Sequence, residues 1–231
     1  MKLGILTDIH ANLAAFEAVL PYFADCDKIL CAGDFVNLGP WPEETVQLAM
    51  SLPNLVAVTG NHEGRILCDP IRSRKGPEAL AHYAWTKSRL SPESLAWLGS
   101  LRPREVLNLN GKTLALQHYG LREGSHCRRI RSHPTDGDLL ELFPDAGDVV
   151  VFGHEHHGCI RQVGGTLFVN CGACGCPGHA HNIARAAILH LEDTVTVEPL
   201  AVPYDVSPVI REMQSLDYPD LPHILRAFYK V

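Results

Sequence analysis

Side chains that could bind metal ions follow five apolar segments of the sequence. Asp8 and His10 come after "KLGILT", and His154 and His156 come after "DVVVFG". The full set of these side chains is Asp8, His10, Asp34, Asn61, His62, His118, His154 and His156. Carboxylate and imidazole groups suit Mn, Fe, Zn or Ni and need no thiolate beside them. The sequence therefore predicts a transition-metal site.

The number of these donors indicates two ions. Eight donors are too many for one ion, but they fit two ions about 3.5–4 Å apart with one bridging carboxylate, the arrangement used for in-line displacement at phosphorus. Residues two apart lie on the same side of an extended strand end, so Asp8 and His10 could reach one ion. His154 and His156 are spaced alike and could each bind a different ion. The same alternation turns His157 away, and we expect it to be structural or exposed.

Strands and helices alternate in the first half of the chain. Apolar runs predict strands at 2–6, 28–33 and 54–60, and helical spacing predicts helices at 11–25 and 42–52. This βαβαβ order predicts a parallel sheet with right-handed crossovers. Because open α/β sheets bind ligands outside the carboxyl ends of their strands, the donors follow these strands at the expected place.

The second half changes to short strands after two short helices within 77–100. Residues 104–120 predict a hairpin around an Asn-Gly turn. Further strands are expected at 148–153, 158–163, 165–170 and 185–200. This half indicates a second sheet of mixed or antiparallel strands packed on the first. We expect a single domain over 1–231, in which 120–147 is the least regular part and could cap the site or contact the substrate.

The composition is that of a globular protein. The chain has 231 residues, 46% of them hydrophobic and 20% charged, which suits one large α/β domain. A net charge of -6 argues against a stable nucleic-acid partner. No segment is long and apolar enough to span a membrane, and the first residues resemble a buried strand rather than a signal peptide. We expect a cytoplasmic protein with no membrane partner, whose eight cysteines are free thiols or metal ligands.

The five donor motifs together resemble the calcineurin-like metallophosphoesterase superfamily. Its signature is D-x-H, G-D, G-N-H-[DE], H and G-H-x-H, and this chain has "DIH", "GD", "GNHE", "QH" and "GHEH" in that order over 8–156. The resemblance implies an α/β fold, a four-layered αββα sandwich of two mixed β-sheets flanked by helices. The stretches "DIHANLAAFEAVL", "GDFVNLGPWPEE" and "VPYDV" are similar to a bacterial and archaeal branch of small phosphoesterases, often labelled by similarity to diadenosine tetraphosphatases or Ser/Thr protein phosphatases.

The resemblance also implies a role for each donor. Ligands of the first metal ion would be Asp8, His10, Asp34 and His156. Ligands of the second would be Asp34, Asn61, His118 and His154. Asp34 would bridge the ions, and a metal-bridging hydroxide would attack phosphorus in line. His62 would bind no metal but would stabilise or protonate the leaving oxygen, so that the catalytic residues would be Asp34, Asn61 and His62.

One motif departs from the protein phosphatases. They carry G-D-[YF]-V-D-R-G, whereas this chain reads "GDFVNLG". Leu38 replaces the arginine that grips phosphate, a contact that leucine cannot make. Asn37 replaces the aspartate that orients the catalytic histidine; it could still hydrogen-bond His62, but a neutral partner would raise the pKa of His62 less. Arg65 is another candidate phosphate contact, or else a surface arginine on a helical turn.

Two further segments allow more than one interpretation. "HCRRIRSH" at 126–133 is strongly basic, and Arg128 and Arg129 could contact an anionic substrate or belong to a solvated loop. "CGACGCPGHAH" holds a set of residues that could form a structural zinc site or leave free thiols on a tight loop. These residues are Cys171, Cys174, Cys176, His179 and His181.

These observations predict a hydrolase that uses two divalent transition-metal ions to cleave phosphodiester or phosphoanhydride bonds of a small, nucleotide-type phosphorylated substrate. A phosphomonoesterase or protein Ser/Thr phosphatase-like activity is the alternative. A non-catalytic scaffold of the same fold is disfavoured because every donor of the signature is present.

Overall fold

The computed structural model describes a two-sheet α/β protein. It covers residues 1–68, 76–122, 126–128, 130–176 and 182–231. Within these ranges, no helix is both long enough and apolar enough to cross a membrane.

The first sheet has five strands in the order β12-β11-β1-β2-β3. They are β1 Lys2–Leu6, β2 Lys28–Cys31, β3 Leu55–Ala57, β11 Ile183–Leu191 and β12 Val195–Pro203. The strands β1, β2 and β3 run parallel, as predicted, whereas β11 pairs antiparallel with β1 and β12 pairs antiparallel with β11.

The second sheet also has five strands, in the order β4-β5-β8-β10-β9. They are β4 Arg104–Leu109, β5 Lys112–Gln117, β8 Val149–Val151, β9 Cys159–Val163 and β10 Thr166–Asn170. The central strands β5, β8 and β10 are parallel, and β4 and β9 pair antiparallel at the edges. Asn110 and Gly111 both have positive φ, 48° and 75°, which gives the predicted two-residue hairpin turn. Two short strands, β6 Gly120–Arg122 and β7 His126–Arg128, form a separate pair.

The strands after residue 183 differ from the prediction, because they join the first sheet and not the second. Gly4 of β1 lies opposite Ile188 of β11. Strand β11 is mostly buried on both faces, as an inner strand must be, whereas β12 is buried on one face only. The order of strands along the chain does not specify which sheet a late hairpin completes, so the apolar pattern alone was compatible with either sheet.

The helices lie between these strands and after them. They are α1 Leu13–Val19 with a 3₁₀ turn Leu20–Phe23, α2 Pro42–Ser51, α3 Asn61–Leu67, α4 Pro77–Ser88, α5 Pro92–Ser100, α6 Asp136–Leu142, α7 Ser207–Ser215 and α8 Leu221–Ile224 with a π turn Leu225–Tyr229. Asn12 caps α1 and Ser91 caps α5, each by accepting a hydrogen bond from a backbone N–H three residues later. The helices predicted at 11–25, 42–52 and 77–100 are present, whereas α3, α6 and the helices after residue 206 were not predicted.

Three apolar layers hold the sheets and helices together. Between the sheets, Leu3 and Ile5 pack with Leu114 and Val149, all at most 1% exposed. Helices α1 and α2 cover the outer face of the first sheet. Helix α6 covers the outer face of the second sheet, where Leu139 packs in one cluster with buried strand residues. This αββα arrangement of two mixed sheets confirms the predicted fold class.

Candidate metal centre

The eight predicted donors meet where five parallel strands end. Strand β1 is followed by Asp8 and His10, β2 by Asp34, β3 by Asn61 and His62, β5 by His118, and β8 by His154 and His156. We call these eight residues the donor cluster. The two sheets face each other with these carboxyl ends at the same edge, so residues far apart in the chain come within reach of one another.

The backbone of the donor cluster is left-handed at several positions. Asp8 and His10 both have a φ of 53°, Asp34 has 58° and His154 has 72°. The expectation that an extended backbone orients these pairs is therefore wrong. Left-handed conformations are uncommon for residues other than glycine and are held by their surroundings. Here the N–H of Asp8 donates to the carbonyl of Gly33 and that of His10 to the carbonyl of Asp34, both at 3.0 Å.

His157 lies outside the donor cluster. It is exposed, as expected, but the reason differs, because residues 154–157 form a bend and a turn instead of an extended strand. Its ring centroid lies 5.9 Å from that of His133. His157 belongs to none of the groups of donors that could share an ion among the described residues.

The donors divide into groups, each compact enough to share one ion. Asp8, His10 and His156 form the first group, with Asp8 Oδ1 lying 3.6 Å from His10 Nε2 and 3.5 Å from His156 Nε2. Asp34, His118 and His154 form the second group, and a third group, His10, Asp34 and His62, shares one member with each of the other two. Asp34 Oδ2 lies 3.1 Å from His118 Nε2 and 4.0 Å from His10 Nε2, so the same oxygen faces both groups.

Two features of the first group suit a cation. Asp8 Oδ2 accepts hydrogen bonds from the Thr7 hydroxyl at 2.8 Å and the His154 N–H at 3.0 Å, whereas Oδ1 is buried without a hydrogen-bond partner. A buried oxygen without a donor is costly, and a cation beside it would offset that cost. The Nε2 atoms of His10 and His156 lie 3.2 Å apart, and two imidazole nitrogens this close need a shared proton or a cation between them. These residues fit a metal ion.

Asn61 meets the second group through its side-chain amide. One terminal atom of this amide lies 2.6 Å from Nδ1 of His154. The nitrogen at this place would donate a hydrogen bond to His154, whereas the oxygen would present a second lone pair beside Nδ1. The ligand role implied for Asn61 requires the oxygen there, together with a cation that both atoms can bind.

Backbone carbonyls orient two of the imidazole rings. Nδ1 of His118 lies 2.7 Å from the carbonyl of Ala32, and Nδ1 of His10 lies 3.4 Å from that of Val36. A carbonyl only accepts, so each Nδ1 carries the hydrogen and each Nε2 turns a lone pair or a second proton toward the donor cluster. Such hydrogen bonds commonly fix the tautomer of metal-binding histidines.

The charges of the donor cluster stabilise one another. Burial would raise the pKa of Asp8 and Asp34, but the neighbouring histidines, His118 foremost, hold both values well below the usual range. Burial would lower the pKa of His118, yet Asp34 and Asp8 raise it to about 9. Burial and His118 together lower the pKa of His154 to about 4, which leaves that ring neutral with a free lone pair. At neutral pH the donor cluster therefore contains two carboxylates, a protonated imidazole and a neutral imidazole.

Glu63 holds the loop that carries Asp34, a role that sequence reasoning missed. Its Oε2 accepts from the N–H groups of Asp34 at 2.9 Å and Gly60 at 2.7 Å, and its Oε1 accepts from Phe35 at 2.8 Å and Val36 at 3.3 Å. The side chain is fully buried, and burial together with Asp34 raises the pKa of Glu63 to about 7. A glutamate three residues after a helix N-cap is a capping-box signal that could have identified the hydrogen bond to Gly60, but not the bonds to the Asp34 loop.

Asn37 and Thr86 position His62. The expected contact is present: the Asn37 amide nitrogen lies 2.8 Å from Nδ1 of His62, and the Thr86 hydroxyl donates to the Asn37 oxygen at 2.9 Å. An amide that donates to Nδ1 leaves the proton of the neutral ring on Nε2, which lies 4.0 Å from Asp34 Oδ2. Burial holds the pKa of His62 well below its usual value, so the neutral form dominates. Thr86 lies in α4 and carries no motif that would have revealed it.

Arg65 lies close to the donor cluster and is not simply a surface residue. It is half-buried in α3, and its Nη1 donates to the Tyr83 hydroxyl at 3.1 Å. In one orientation of the Asn61 amide, the same nitrogen also reaches the Asn61 oxygen at 3.1 Å. The guanidinium therefore lies beside a predicted metal ligand.

The basic and cysteine-rich segments lie partly outside the described residues. Arg128 donates to the Glu141 carbonyl at 2.9 Å and forms an ion pair with its carboxylate, so it is bound to α6. Arg129 is not among the described residues, and neither are His179 and His181. The three cysteines of the second segment are buried, and burial raises the pKa of Cys171 to about 12. Among the described residues, no candidate metal group contains a cysteine, and a zinc site with the two histidines stays a prediction.

Comparison with known proteins places the chain in a family. The calcineurin-like phosphoesterase superfamily domain matches residues 1–194. The chain belongs to the calcineurin-like phosphoesterase superfamily. This membership confirms the resemblance carried by the five motifs.

Three proteins illustrate this similarity. A metallophosphoesterase from Sphaerobacter thermophilus is 26% identical, with 98% of each chain covered and a TM-score of 0.77. A hypothetical protein from Pyrococcus horikoshii OT3 is 17% identical, with 98% of this chain and 97% of that chain covered and a TM-score of 0.86, and shows the same fold. An uncharacterised protein of Methanocaldococcus jannaschii is 28% identical, with 88% of each chain covered. The phosphoesterase superfamily implies divalent metal ions, and the donor cluster is where this chain could bind them.

Proposed function

We propose that this chain is a dinuclear metal-dependent phosphoesterase that hydrolyses phosphodiester or phosphoanhydride bonds of small, nucleotide-type substrates. The observation that carries the proposal is the position of Asp34. Its Oδ2 lies between the two donor groups, and its Oδ1 accepts the N–H of His62 at 2.8 Å. One carboxylate is thereby aimed at two adjacent ion sites, which is the arrangement that a bridging ligand requires.

Each ion site has a set of side chains to bind it. The first would consist of Asp8, His10, Asp34 and His156, and the second of Asp34, Asn61, His118 and His154. Two divalent ions such as Mn, Fe, Zn or Ni would activate a water molecule and offset the charge of the phosphate. Asp8 and Asp34 each bond to the protein through one oxygen, which keeps the other directed at the ions. The ligands are therefore held in place before any ion arrives.

His62 would act on the leaving group. The Asn37 amide directs the proton of the neutral ring to Nε2, on the side of Asp34. From there, Nε2–H can donate a hydrogen bond to the oxygen that leaves phosphorus and so stabilise the charge that develops on it. Arg65, beside Asn61, is placed to contact a phosphate oxygen.

The loop after β2 disfavours a protein phosphatase. Leu38 is 5% exposed and packs in a cluster with residues of the C-terminal segment, so no cation at this position can grip a phosphate group. A phosphomonoesterase or protein phosphatase activity is therefore the alternative, and a scaffold without activity is the other outcome to be tested.

The test compares substrates on the full chain, stripped of metal and reloaded with Mn²⁺. We expect two ions per chain and faster hydrolysis of bis-p-nitrophenyl phosphate than of p-nitrophenyl phosphate. Asp34→Asn should lower turnover about a hundredfold or more and reduce the metal content. Asp193→Asn changes an exposed carboxylate in the β11–β12 turn and is the matched control. Preference for the monoester would favour the alternative, and two bound ions without turnover of any phosphoester would favour a scaffold.

A further inference from the structure

A cavity of about 390 Å³ opens beside His62. Its inner end is formed by Asn37, His62 and Arg65, residues at or next to the donor cluster. One wall comes from α4, with His82 and Tyr83. Another part of the lining comes from the C-terminal segment, which lies beyond the range matched by the superfamily domain, and consists of Asp220, His223, Ile224 and Phe228. The cavity is therefore continuous with the proposed catalytic site, yet four of its thirteen lining residues come from outside the matched range.

His82, one of the residues that line this cavity, carries an unpaired polar atom. The residue is 4% exposed, and its Nε2 is buried without a hydrogen-bond partner in the described part of the chain. Burial lowers the pKa of His82 to about 4, so the ring is neutral at pH 7 and Nε2 can donate or accept according to its tautomer. A buried polar atom without a partner is costly unless a ligand supplies one.

The ring of His82 is held in place by aromatic packing. The ring of Tyr218 meets it edge-on with centroids 5.0 Å apart, and Trp85 stacks on it at 6.5 Å. Tyr218 in turn donates its hydroxyl to the carbonyl of Gly39 at 3.2 Å. This packing of the His82 ring therefore fixes the orientation of the unpaired Nε2.

The remaining lining is both apolar and polar. Phe228, Ile224 and Tyr83 offer apolar surface, while Asp220 and Glu78 offer oxygens that accept hydrogen bonds. The ring of Phe228 also lies 6.3 Å from that of His156, so this wall starts at the donor cluster. Sites with this mixture select a flat apolar group that carries a few polar atoms. A simple sugar would leave the apolar wall unused, and an alkyl chain would leave the polar atoms unpaired.

We propose that this cavity binds the leaving group of the phosphoester and that this group is a nucleoside, with its base against Phe228 and Tyr83 and one polar atom bonded to Nε2 of His82. This inference rests on the proposed function, because it places the leaving oxygen beside His62. Water adds its oxygen to phosphorus, the bond from phosphorus to the nucleoside oxygen breaks, and that oxygen keeps the electron pair. It accepts a hydrogen bond from Nε2–H of His62 and takes up the proton that water loses, so the products are a nucleoside and a phosphomonoester.

Binding of a nucleoside alone tests the cavity without any metal or turnover. Adenosine is titrated into the metal-stripped full chain and followed by calorimetry and by protein NMR shifts. We expect binding in the native chain that weakens about tenfold or more in His82→Phe, which keeps the aromatic packing but removes the nitrogen. Phe228→Ala alters a half-buried residue and provides a second variant should His82→Phe fold poorly. His190→Phe, in β11, is the control and should bind adenosine as the native chain does.

Measurements of turnover distinguish a failure of this inference from a failure of the proposed function. In the Mn²⁺-loaded full chain, the ratio of kcat/KM for thymidylyl-(3′,5′)-thymidine to that for bis-p-nitrophenyl phosphate should fall at least about tenfold in His82→Phe and in Phe228→Ala. If bis-p-nitrophenyl phosphate is cleaved but neither variant changes this ratio or the binding of adenosine, the nucleoside cavity is wrong and the proposed function stands. If adenosine binds through His82 but no phosphoester is cleaved, the cavity stands and the proposed function is wrong.

Discussion

In each carboxylate of the donor cluster, one oxygen accepts a hydrogen bond from the protein and the other faces the candidate metal centre. Asp8 and Asp34 both bond to a backbone N–H through one oxygen and direct the other toward histidine nitrogens. Glu63 differs, because both of its oxygens bind backbone N–H groups and none faces the histidines. A carboxylate can thus bind an ion or hold the loop that supports such a ligand, and its hydrogen bonds distinguish the two roles.

Replacing Glu63 by glutamine should destabilise the protein. The amide nitrogen would face backbone N–H groups, so two hydrogen bonds would be lost and buried donors would oppose each other. We expect the free energy of unfolding of the metal-free protein to fall by about 3 kcal/mol, measured by urea denaturation. Glu192→Gln changes an exposed glutamate and should alter it by less than about 0.5 kcal/mol. Equal effects of the two substitutions would contradict the role of Glu63.

His82 should make the protein sensitive to acid. Burial lowers the pKa of His82 to about 4 in the folded protein, against about 6.5 in the unfolded chain. Between these pH values His82 is protonated in the unfolded chain and neutral in the folded one, which favours unfolding. The stability conferred by the neutral ring is complete above pH 6.5 and is lost as the pH falls toward 4, by about 1.4 kcal/mol per pH unit. His82→Phe should therefore show a flatter fall of unfolding free energy between pH 6.5 and 4. If the unfolding free energies of the native chain and His82→Phe fell in parallel with pH, this role of His82 would be wrong. His190→Phe is the matched control.

At the scale of elements, the candidate metal centre depends on backbone segments that lie too close together for a side chain to fit between them. A Cβ atom at Gly60, just before α3, would lie 2.1 Å from Asp34 Oδ1 and 2.6 Å from the Asp34 nitrogen. The motif glycine thus lets the start of α3 lie against the loop that follows β2. The C-terminal segment reaches the same loop, where the Tyr229 hydroxyl donates to the Leu38 carbonyl at 3.4 Å.

Gly60, which precedes α3, and Gly64, within α3, should respond in opposite ways to alanine. Gly60→Ala would displace Asp34, and we expect a loss of about 1–3 kcal/mol of unfolding free energy together with reduced metal content. Gly64, in α3 itself, has no atom within 4 Å of an added Cβ, so Gly64→Ala should stabilise the helix by about 0.5–1 kcal/mol. Denaturant midpoints and metal analysis of the two variants measure both effects. If Gly60→Ala changed neither the unfolding free energy nor the metal content, the close approach to Asp34 would be unimportant.

At the scale of the whole molecule, the two sheets face each other across one core and deliver five strand ends to one edge. The consequence is a buried group of charges that only the complete fold assembles. Asp8 and Asp34 are at most 2% exposed, and the histidine that most strongly holds down their pKa values, His118, is 1% exposed. Metal binding and global stability should therefore be linked, since the unfolded chain has no such arrangement.

Metal removal should lower the melting temperature and take up protons. His118 has a pKa raised to about 9 by Asp34 and Asp8, so its ring is protonated at pH 7 without metal and must lose a proton to offer Nε2 as a ligand. Binding of Mn²⁺ should release about one proton from this ring at pH 7 and strengthen as the pH rises from 6 to 9. Calorimetry in Pipes and Tris buffers, which differ in ionisation enthalpy, measures the release. Heats of binding that are identical in the two buffers would be inconsistent with this protonation state.

The sequence predicted the parallel strands of the first half, the Asn110-Gly111 hairpin and the convergence of the donor motifs, because each depends on local patterns and on one topological rule. It did not predict the sheet that β11 joins, since that pairing depends on contacts with Lys2–Leu6 at the other end of the chain. The roles of Glu63 and Thr86 were missed because their partners are backbone and side-chain groups of another loop. Asp and His adopt positive φ more often than most residues, but residue type alone does not specify that Asp8 and His10 do so here.

The pairing of β1 with β11 has a consequence for how the protein is made. Strand β1 leaves the ribosome well before β11 and gains its second neighbour only after residues 183–191 have been synthesised. Until then one edge of the apolar first sheet stays open, a state that invites wrong pairing and aggregation. Contacts of such long sequence separation also slow folding. A nascent chain that stops short of β11 would hold every donor of the metal centre without the sheet that assembles them, so we expect metal capture to follow the closing of this edge.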